Sequence, residues 1–236
     1  MLKRWEEIPK QMQTEEVRYY YEILSKKKSQ LFLKRIFDCL IGIIGIILSS
    51  PILLILAILI KCDSKGPIFF RQTRVTQYGQ EFKIFKFRTM VVNAEKLGSA
   101  VTVGLDPRIT RIGKLIRKTR LDELPQLINV ITGEMSFVGT RPEVPKYVKE
   151  YTPEMLATLL MPAGITSRAS IRFKDEDLML LGAVDVDKVY VKKVLPTKMK
   201  YNLNYLKEFD IFTDWNILLD TVIAVFGEKF IKRSEK

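Results

Sequence analysis

The longest apolar stretch of the chain lies at residues 39–60, where no position carries a charge. At about 1.5 Å of rise per residue, a helix of this length reaches about 33 Å, which matches the hydrocarbon core of a bilayer. Its centre holds Ser49, Ser50 and Pro51, and the proline lacks a backbone donor and clashes with the carbonyl of Ile47. The serine hydroxyls can donate to neighbouring carbonyls and stabilise a bend. The pattern predicts a membrane segment broken at Ser50-Pro51.

Basic residues flank this stretch on both sides, and they indicate how it enters the membrane. Those before it are Lys26, Lys27, Lys28, Lys34 and Arg35, and those after it are Lys61, Lys65, Arg71 and Arg74. Because loops beside a membrane segment keep Lys and Arg on the cytoplasmic side, both ends fit the cytoplasmic leaflet. We expect residues 34–62 to form a re-entrant helix hairpin, with a kinked spanning helix as the alternative. The late start argues against a secretory signal peptide.

Amphipathic patterns at the two ends of the chain predict further helices. Residues 1–33 are expected to form an N-terminal helical extension, in which Thr14 caps an amphipathic helix. Near the C-terminus, aromatic residues mix with lysines before an apolar helix from Trp215 to Phe230. This end of the chain either contacts the membrane interface or packs into the core.

Two β-rich runs follow the membrane segment, beginning at positions 68 and 81. The turn signal Tyr78-Gly79 between them predicts a small β-hairpin. After residue 106 a basic amphipathic helix is expected, which lies either in the membrane interface or on the protein core. The residues on its predicted apolar face are Ile109, Ile112, Leu115 and Ile116.

Composition narrows the chemistry that the chain can perform. The 236 residues carry a formal charge of +12, which attracts polyanions, and beside a membrane segment the nearest polyanion is the lipid headgroup layer. The chain has no histidine, which excludes histidine bases, Ser-His triads and most zinc sites. Cys39 and Cys62 stand at opposite ends of the apolar run, so a disulfide framework is excluded and a reducing compartment fits.

An acidic pair, Asp122 and Glu123, is the strongest candidate for chemistry. Pro125 reads as a first-turn proline, which predicts a helix from about Asp122 to a stop at Gly133. Capping is the simplest role for two acids at a helix start. The same position favours an ionised carboxylate that could act as a nucleophile or bind a hard divalent cation. The cationic residues near the pair that suit phosphoryl transfer are Arg117, Lys118, Arg141 and Arg172.

The order of short motifs along the chain resembles the bacterial sugar transferase family, the monotopic polyprenyl-phosphate phosphoglycosyl transferases. The matching motifs are KRIFD at 34–38, Ser-Pro at 50–51, GPIFFRQTRV at 66–75, FKIFKFRTM at 82–90, DPRITRIGKLIRKTRLDELPQLINVITGEMSFVGTRPE at 106–143 and PAGITSRASI at 162–171. The resemblance covers residues 34–230. The chain departs from the family pattern at Thr140, where proline usually precedes Arg-Pro, and at Arg120, where a small hydroxyl residue is common.

The resemblance implies a reaction in two steps. Asp122 would attack the β-phosphate of a UDP-sugar donor, release UMP and carry the phosphosugar until a polyprenyl phosphate, namely undecaprenyl phosphate, accepts it. Asp122 and Glu123 would hold Mg²⁺. The residues expected to bind phosphate or other parts of the substrate are Arg88, Arg117, Arg141 and Arg172.

The implied location is the cytoplasmic face of the bacterial inner membrane. Membrane lipid is an expected partner, a homodimer or glycan-assembly enzymes are further ones, and nucleic acid is not expected. In two alternatives the protein is not a catalyst. It is either a membrane-attached protein that binds anionic lipid or nucleic acid, or a scaffold of a glycan-assembly complex. Neither explains the Asp122-Glu123 pair or the ordered motifs.

The predicted fold class is α+β and mainly helical. It combines a re-entrant membrane helix hairpin broken at Ser50-Pro51, interfacial amphipathic helices and a small β-hairpin. The soluble remainder is long enough for one core and short for two. The expected divisions are a 1–33 extension, a 34–62 membrane segment, a 63–180 catalytic core and a 181–236 C-terminal helical part of the same domain.

Overall fold

The computed structural model describes residues 2–97, 106–173 and 185–234. Its α-helices are α1 (Glu15–Ser25), α2 (Lys28–Asp63), α3 (Arg111–Lys118), α4 (Gln126–Thr132), α5 (Pro145–Val148), α6 (Arg168–Arg172), α7 (Val186–Val189), α8 (Leu195–Glu208) and α9 (Ile211–Ser234). Strands β1 (Phe69–Val75) and β2 (Glu81–Phe87) form an antiparallel hairpin, and β3 (Met135–Val138) and β4 (Ala163–Thr166) form a parallel pair. The mainly helical prediction and the β-hairpin are confirmed, and the second strand pair was not predicted.

Helix α2 contains the whole predicted membrane segment. Within the described part of the chain it is the one helix long and apolar enough to cross a membrane, and only 11% of its most apolar window is buried by protein. The helix continues through Pro51 without a change of secondary structure. As expected, Ser49 Oγ donates to the Gly45 carbonyl at 2.6 Å and Ser50 Oγ donates to the Ile47 carbonyl at 2.8 Å. The hairpin topology itself stays a prediction.

Both halves of α2 pack on the same folded domain. In the first half, Gly42 lies so close to α4 that an added Cβ would be 3.0 Å from Ile131 Cγ1. In the second half, Ile60 is buried with Phe87 and Ile116. The exposed apolar side chains between these contacts include Ile47, Leu48, Ile52, Leu54, Ile55 and Ile58. Helix α2 therefore has two protein-covered ends and an apolar middle that needs a nonaqueous surrounding.

Buried polar contacts tie the start of α2 to the rest of the domain. Lys34 Nζ donates to the Val138 carbonyl at 2.9 Å and forms a 2.5 Å ion pair with Asp214 of α9. Tyr205 donates its hydroxyl to the same Asp214 carboxylate at 2.7 Å. Because a buried charge is tolerated only when it is paired and hydrogen-bonded, this network fixes how α2 leaves the domain.

The N-terminal extension is part of the main hydrophobic core. Thr14 accepts a hydrogen bond from the Val17 amide, so the predicted N-cap of α1 is confirmed. The buried side chains that the extension contributes are Ile8, Met12, Val17, Tyr20 and Leu24, and those they join include Val75, Tyr78, Leu160, Leu206 and Phe209. Residues 2–25 therefore stabilise the domain that carries the β-hairpin and α8.

In two regions for which the sequence left core packing and the membrane interface open, some apolar residues are buried and others are exposed. In α3, Ile116 is buried, but Leu115 is 58% exposed, because the short helix turns only one edge of its apolar face toward the core. In the C-terminal region, Phe209 is buried while Phe212 is 77% exposed. The predicted boundary between residues 180 and 181 lies outside the described residues.

Candidate active site

The acidic pair lies in a 3-10 turn, Leu121–Glu123, rather than at the start of an α-helix. The preceding Arg120 has φ 58° and ψ 17°, a left-handed conformation that is uncommon for a residue other than glycine. Helix α4 starts later than predicted, with Pro125 at its N-cap, because the i→i+3 bonds of the turn complete first. Its end before Gly133, with φ 89°, is as predicted.

Glu123 is held by two cations from different elements. Lys86 of β2 donates to its Oε1 at 2.9 Å, and Arg141 donates to Oε1 at 2.5 Å and to Oε2 at 3.3 Å. Burial alone would raise the pKa of Glu123, but the charges and hydrogen bonds of Arg141 and Lys86 outweigh it and hold that pKa well below its ordinary value. Glu123 is therefore a firmly ionised carboxylate that places two cations beside Asp122.

Asp122 has the opposite environment. Its Oδ1 is buried and accepts no hydrogen bond from the residues that the structure describes. Burial raises the pKa of Asp122, and the nearby charge of Lys86 offsets only part of this effect. Neither carboxylate of the pair caps α4, so the capping role considered from the sequence is wrong. An ionised Asp122 is instead a partly buried anion whose Oδ1 lacks a donor among the described residues, which suits a nucleophile or a cation ligand.

The donor set fits Mg²⁺ when substrate phosphates complete it. Mg²⁺ in phosphate-processing sites takes one or two carboxylates together with phosphate oxygens and waters. Asp122 Oδ1 is an oxygen acceptor without a donor among the described residues, and Glu123 is the next residue in the chain. Across residues 2–97, 106–173 and 185–234, no group of three or more His, Cys, Asp or Glu side chains could hold a metal without substrate.

The structure brings one of the predicted arginines into direct contact with the acidic pair, namely Arg141. Arg117 is half-buried in the last turn of α3, and its charge acts on Asp122 in the direction that lowers the pKa of that carboxyl. Arg172 is exposed at the end of α6, and the contacts within the described ranges do not join it to the pair. Their phosphate-binding roles stay predictions.

Arg88 has a different place in the fold. It is 4% exposed, and its guanidinium donates to the Ser64 carbonyl at 2.7 Å and the Lys65 carbonyl at 2.8 Å. These carbonyls follow the last turn of α2, where backbone acceptors lack helical partners. The contacts support a role for Arg88 in anchoring the end of the membrane helix, and its predicted substrate-binding role is not supported by any of them.

Two half-buried cations of the site, Lys86 and Arg74, were not selected from the sequence. The sequence signal for Lys86 is the alternation of apolar residues along β2. Phe82 and Ile84 are buried, and Lys86 lies on the same face of the strand. Arg74 is opposite Phe82 in the hairpin register, on that face as well. It donates from Nη1 to the Pro142 carbonyl at 3.0 Å, one residue after Arg141. Both residues could have been selected from the sequence as a lysine and an arginine on the strand face whose other residues are buried.

A family model described as bacterial sugar transferase matches residues 29–228. Among curated proteins, the chain is 37% identical over 198 residues to the UDP-N-acetylgalactosamine-undecaprenyl-phosphate N-acetylgalactosaminephosphotransferase of Aeromonas hydrophila, covering 82% of this chain and 44% of that protein. It is 35% identical over 201 residues to the UDP-glucose:undecaprenyl-phosphate glucose-1-phosphate transferase of Escherichia coli strain K12, covering 84% of this chain and 41% of that protein.

A third relative has a similar length. The exopolysaccharide production protein PSS of Rhizobium leguminosarum bv. phaseoli is 37% identical over 205 residues, which cover 82% of this chain and 95% of that protein. The chain thus spans less than half of the first two relatives and nearly all of the third. The region that the family model matches includes the acidic pair and both cations that hold Glu123.

Proposed function

Since the chain belongs to the bacterial sugar transferase family, we propose that it transfers a sugar 1-phosphate from a UDP-sugar to undecaprenyl phosphate and releases UMP. The observation that carries this proposal is the contrast within the acidic pair. Asp122 is partly buried, and its buried Oδ1 has no donor among the described residues, whereas Glu123 is paired with Lys86 and Arg141. Adjacent carboxyls in opposite environments can take separate roles, one reactive and one supporting.

In the first step, a carboxylate oxygen of Asp122 attacks the β-phosphorus of the UDP-sugar. A bond forms between this oxygen and phosphorus, the bond from phosphorus to the bridging oxygen breaks, and UMP leaves with the electron pair. The raised pKa of Asp122, which burial causes, makes the carboxylate a better nucleophile than an exposed aspartate. The product is a phosphosugar bonded to the Asp122 carboxylate.

In the second step, a phosphate oxygen of undecaprenyl phosphate attacks the same phosphorus, and Asp122 leaves as a carboxylate. The product is a sugar bonded through a diphosphate to the lipid. A covalent intermediate lets two bulky substrates use one site in turn, since UMP departs before the lipid phosphate enters.

Cations offset the repulsion between the carboxylate and the diphosphate. Lys86 and Arg141 lie at the pair already, held by Glu123 at distances of 2.9 and 2.5 Å. Arg117 at the end of α3 supplies a further charge on the Asp122 side. Mg²⁺, held by Asp122 and Glu123, would supply Lewis-acid stabilisation of the phosphate oxygens when bound. Charges fixed before the reaction stabilise the developing charge without reorganisation.

A re-entrant α2 at the cytoplasmic face of the inner membrane would place this site at the lipid headgroups. Asp38 accepts a hydrogen bond from the Phe137 amide at 3.2 Å, and Asp63 accepts one from the Ile112 amide at 3.1 Å. In a straight helix these two carboxylates would be about 38 Å apart, with about 30 Å of hydrocarbon between the faces of a bilayer. Because both bind the same charged domain, contacts at both ends of α2 favour one membrane face.

The test is a donor panel with product analysis. The relatives' names carry different sugars, N-acetylgalactosamine in one and glucose in another. Purified protein in nanodiscs receives Mg²⁺, undecaprenyl phosphate and each UDP-sugar in turn, and the nucleotide product is separated by chromatography. We expect one or more donors to yield UMP and a lipid diphosphate sugar. Release of UDP, or no turnover with any donor, would contradict the proposal.

A further inference from the structure

A second cluster of buried polar groups lies behind the candidate active site, and the proposed mechanism does not use it. It consists of Glu143, Tyr190 and Lys198, and we refer to it as the Glu143 cluster. Tyr190 donates its hydroxyl to Glu143, and Lys198 Nζ donates to the Tyr190 oxygen at 3.0 Å. Lys198 Nζ also lies 3.6 Å from Glu143 Oε1. Glu143 and Lys198 are each 6% exposed, so both charges are inside the protein.

The cluster connects the active-site loop to the C-terminal helices. Glu143 lies two residues after Arg141, in the loop 139–144 that joins β3 to α5. Tyr190 begins a π-helical turn that leads into α8, which carries Lys198. π-Helical turns occur frequently at functional sites, because they displace a side chain from ordinary helical phase.

The backbone of the same loop is fixed on its other sides. The Thr140 carbonyl accepts from the Gly164 amide at 2.8 Å, and the Glu143 carbonyl accepts from the Val75 amide at 2.9 Å. These bonds hold the loop against β4 and β1. The Glu143 side chain adds the contact to the C-terminal helices, so the conformation around Arg141 is determined from three directions.

Stability alone does not account for a cluster of this kind. Removing two charges from water carries a penalty of several kcal/mol per ion, and apolar replacements of buried ion pairs are often as stable. The need to position Arg141 does account for the cluster, because a catalytic group must be held within about 0.5 Å of its productive geometry. Arg141 must keep both of its nitrogens on Glu123, and a shift of the loop would break that contact.

We propose that Glu143, Tyr190 and Lys198 are positioning residues that fix the loop 139–144 so that Arg141 stays on Glu123. Their hydrogen bonds and ion pairs within the described residues do not include the acidic pair, and they act through the loop. The inference rests on the proposed function and deepens it, since it identifies the residues that set the geometry of the phosphate-facing arginine. It assigns to the C-terminal helices a supporting role, in which they fix the loop that carries Arg141.

The first arm of the test compares two phenol deletions. Tyr190→Phe removes the hydroxyl that Glu143 accepts. Tyr147→Phe is the matched control, because Tyr147 is 3% exposed, its ring lies 4.7 Å from that of Tyr190, and its hydroxyl donates to Asp187 instead. We expect Tyr190→Phe to lower kcat about tenfold at an almost unchanged KM, and Tyr147→Phe to change kcat less than about twofold.

The second arm measures coupling to the arginine. If Tyr190 acts through Arg141, Tyr190→Phe should cause no further loss of kcat in an Arg141→Lys background, because residues that act as one unit are not additive. Multiplicative losses would overturn the proposal. Should Tyr190→Phe lower the melting temperature strongly, Lys198→Arg and Lys198→Met replace it, with kcat kept by the arginine and lost in the methionine variant.

The third arm does not depend on turnover. Hydrogen–deuterium exchange of peptides covering residues 139–144 should be faster in Tyr190→Phe than in the wild type and unchanged in Tyr147→Phe. Equal exchange in all three proteins would overturn the proposal. Absence of wild-type turnover would count against the proposed function alone, while the exchange measurement would still decide whether the cluster fixes the loop.

Discussion

At the scale of single residues, two neighbouring carboxyls differ because of what surrounds them. Glu123 meets Lys86 and Arg141, and its pKa is held well below its ordinary value against the effect of burial. Asp122 is partly buried, its Oδ1 accepts no hydrogen bond from the described residues, and burial raises its pKa. The difference makes opposite predictions for two substitutions that each remove one negative charge.

Asp122→Asn should abolish turnover and raise the melting temperature. Burial raises the pKa of Asp122 in the folded state, so the folded protein binds this proton more tightly than the unfolded chain does. Its contribution to stability therefore falls as the pH rises through the raised pKa, and at neutral pH the ionised carboxylate is destabilising. Differential scanning fluorimetry at pH 7 checks the sign. A large decrease in melting temperature would contradict the assignment of Asp122 as an incompletely compensated anion.

Glu123→Gln is the matched comparison, and it should be destabilising. The substitution removes the negative charge that Lys86 and Arg141 share, and breaking a partly buried ion pair costs about 3 kcal/mol. For a chain of this size, that is a decrease of roughly 6–12 °C in melting temperature. A glutamine variant as stable as the wild type would show that the two ion pairs contribute little.

The pH dependence of turnover follows from the same residue. Asp122 must be ionised to attack phosphorus, and its raised pKa moves the loss of activity upward in pH. We expect the acid limb of kcat/KM to lie above the pKa of an exposed aspartate. Measuring UMP release across the acid range checks this, and Lys86→Met should shift the limb further upward, since it removes the charge that opposes the effect of burial.

At the scale of elements, the sequence predicted those whose signals are local. The Thr14 cap, the β-hairpin around Tyr78-Gly79 and the helix stop at Gly133 depend on residues a few positions apart. The partners of Glu123 are 37 and 18 positions away, so no local pattern shows that Lys86 and Arg141 pair with this carboxylate. The β3–β4 pair was missed for the same reason, because its four-residue strands join through a long connection.

Helix α3 offers a test of how closely the elements pack. In an exposed helix, replacing glycine by alanine adds about 1 kcal/mol of stability. At Gly113, however, the added Cβ would lie 2.1 Å from the Thr89 carbonyl oxygen, so α3 would have to move away from the end of β2. We expect Gly113→Ala to lower the melting temperature and turnover, with Lys114→Ala on the exposed side of the same helix as control. Equal stability of the two variants would contradict the packing described.

At the scale of the whole molecule, the fold gathers its site from distant parts of the chain. The N-terminal extension, the β-hairpin and α8 share one core. The sequence did not predict this arrangement, because a hydrophobic face does not indicate which element it packs against. The apolar middle of α2 projects from this domain with its hydrophobic side chains exposed. The domain and the membrane segment together should place Asp122 at the level of the lipid headgroups.

Cysteine labelling tests that placement. In a Cys39→Ser, Cys62→Ser background, single cysteines at Ser29, Leu48 and Lys65 are exposed to a membrane-impermeant maleimide in intact and in permeabilised cells. A re-entrant helix predicts that positions 29 and 65 react only after permeabilisation and that position 48 reacts in neither case. Labelling of positions 29 and 65 from opposite sides would show a spanning helix and remove this account of how the lipid phosphate reaches the site.

The central claim is that Asp122 carries the phosphosugar, and mass spectrometry of the protein itself tests it most directly. Protein is mixed with Mg²⁺ and an active UDP-sugar in the absence of undecaprenyl phosphate, quenched in acid and digested. We predict one phosphosugar per chain on the peptide that contains Asp122, UMP in equal amount, loss of the adduct on adding the lipid acceptor, and no adduct in Asp122→Asn. Turnover without an adduct, or the same adduct in Asp122→Asn, would contradict the claim.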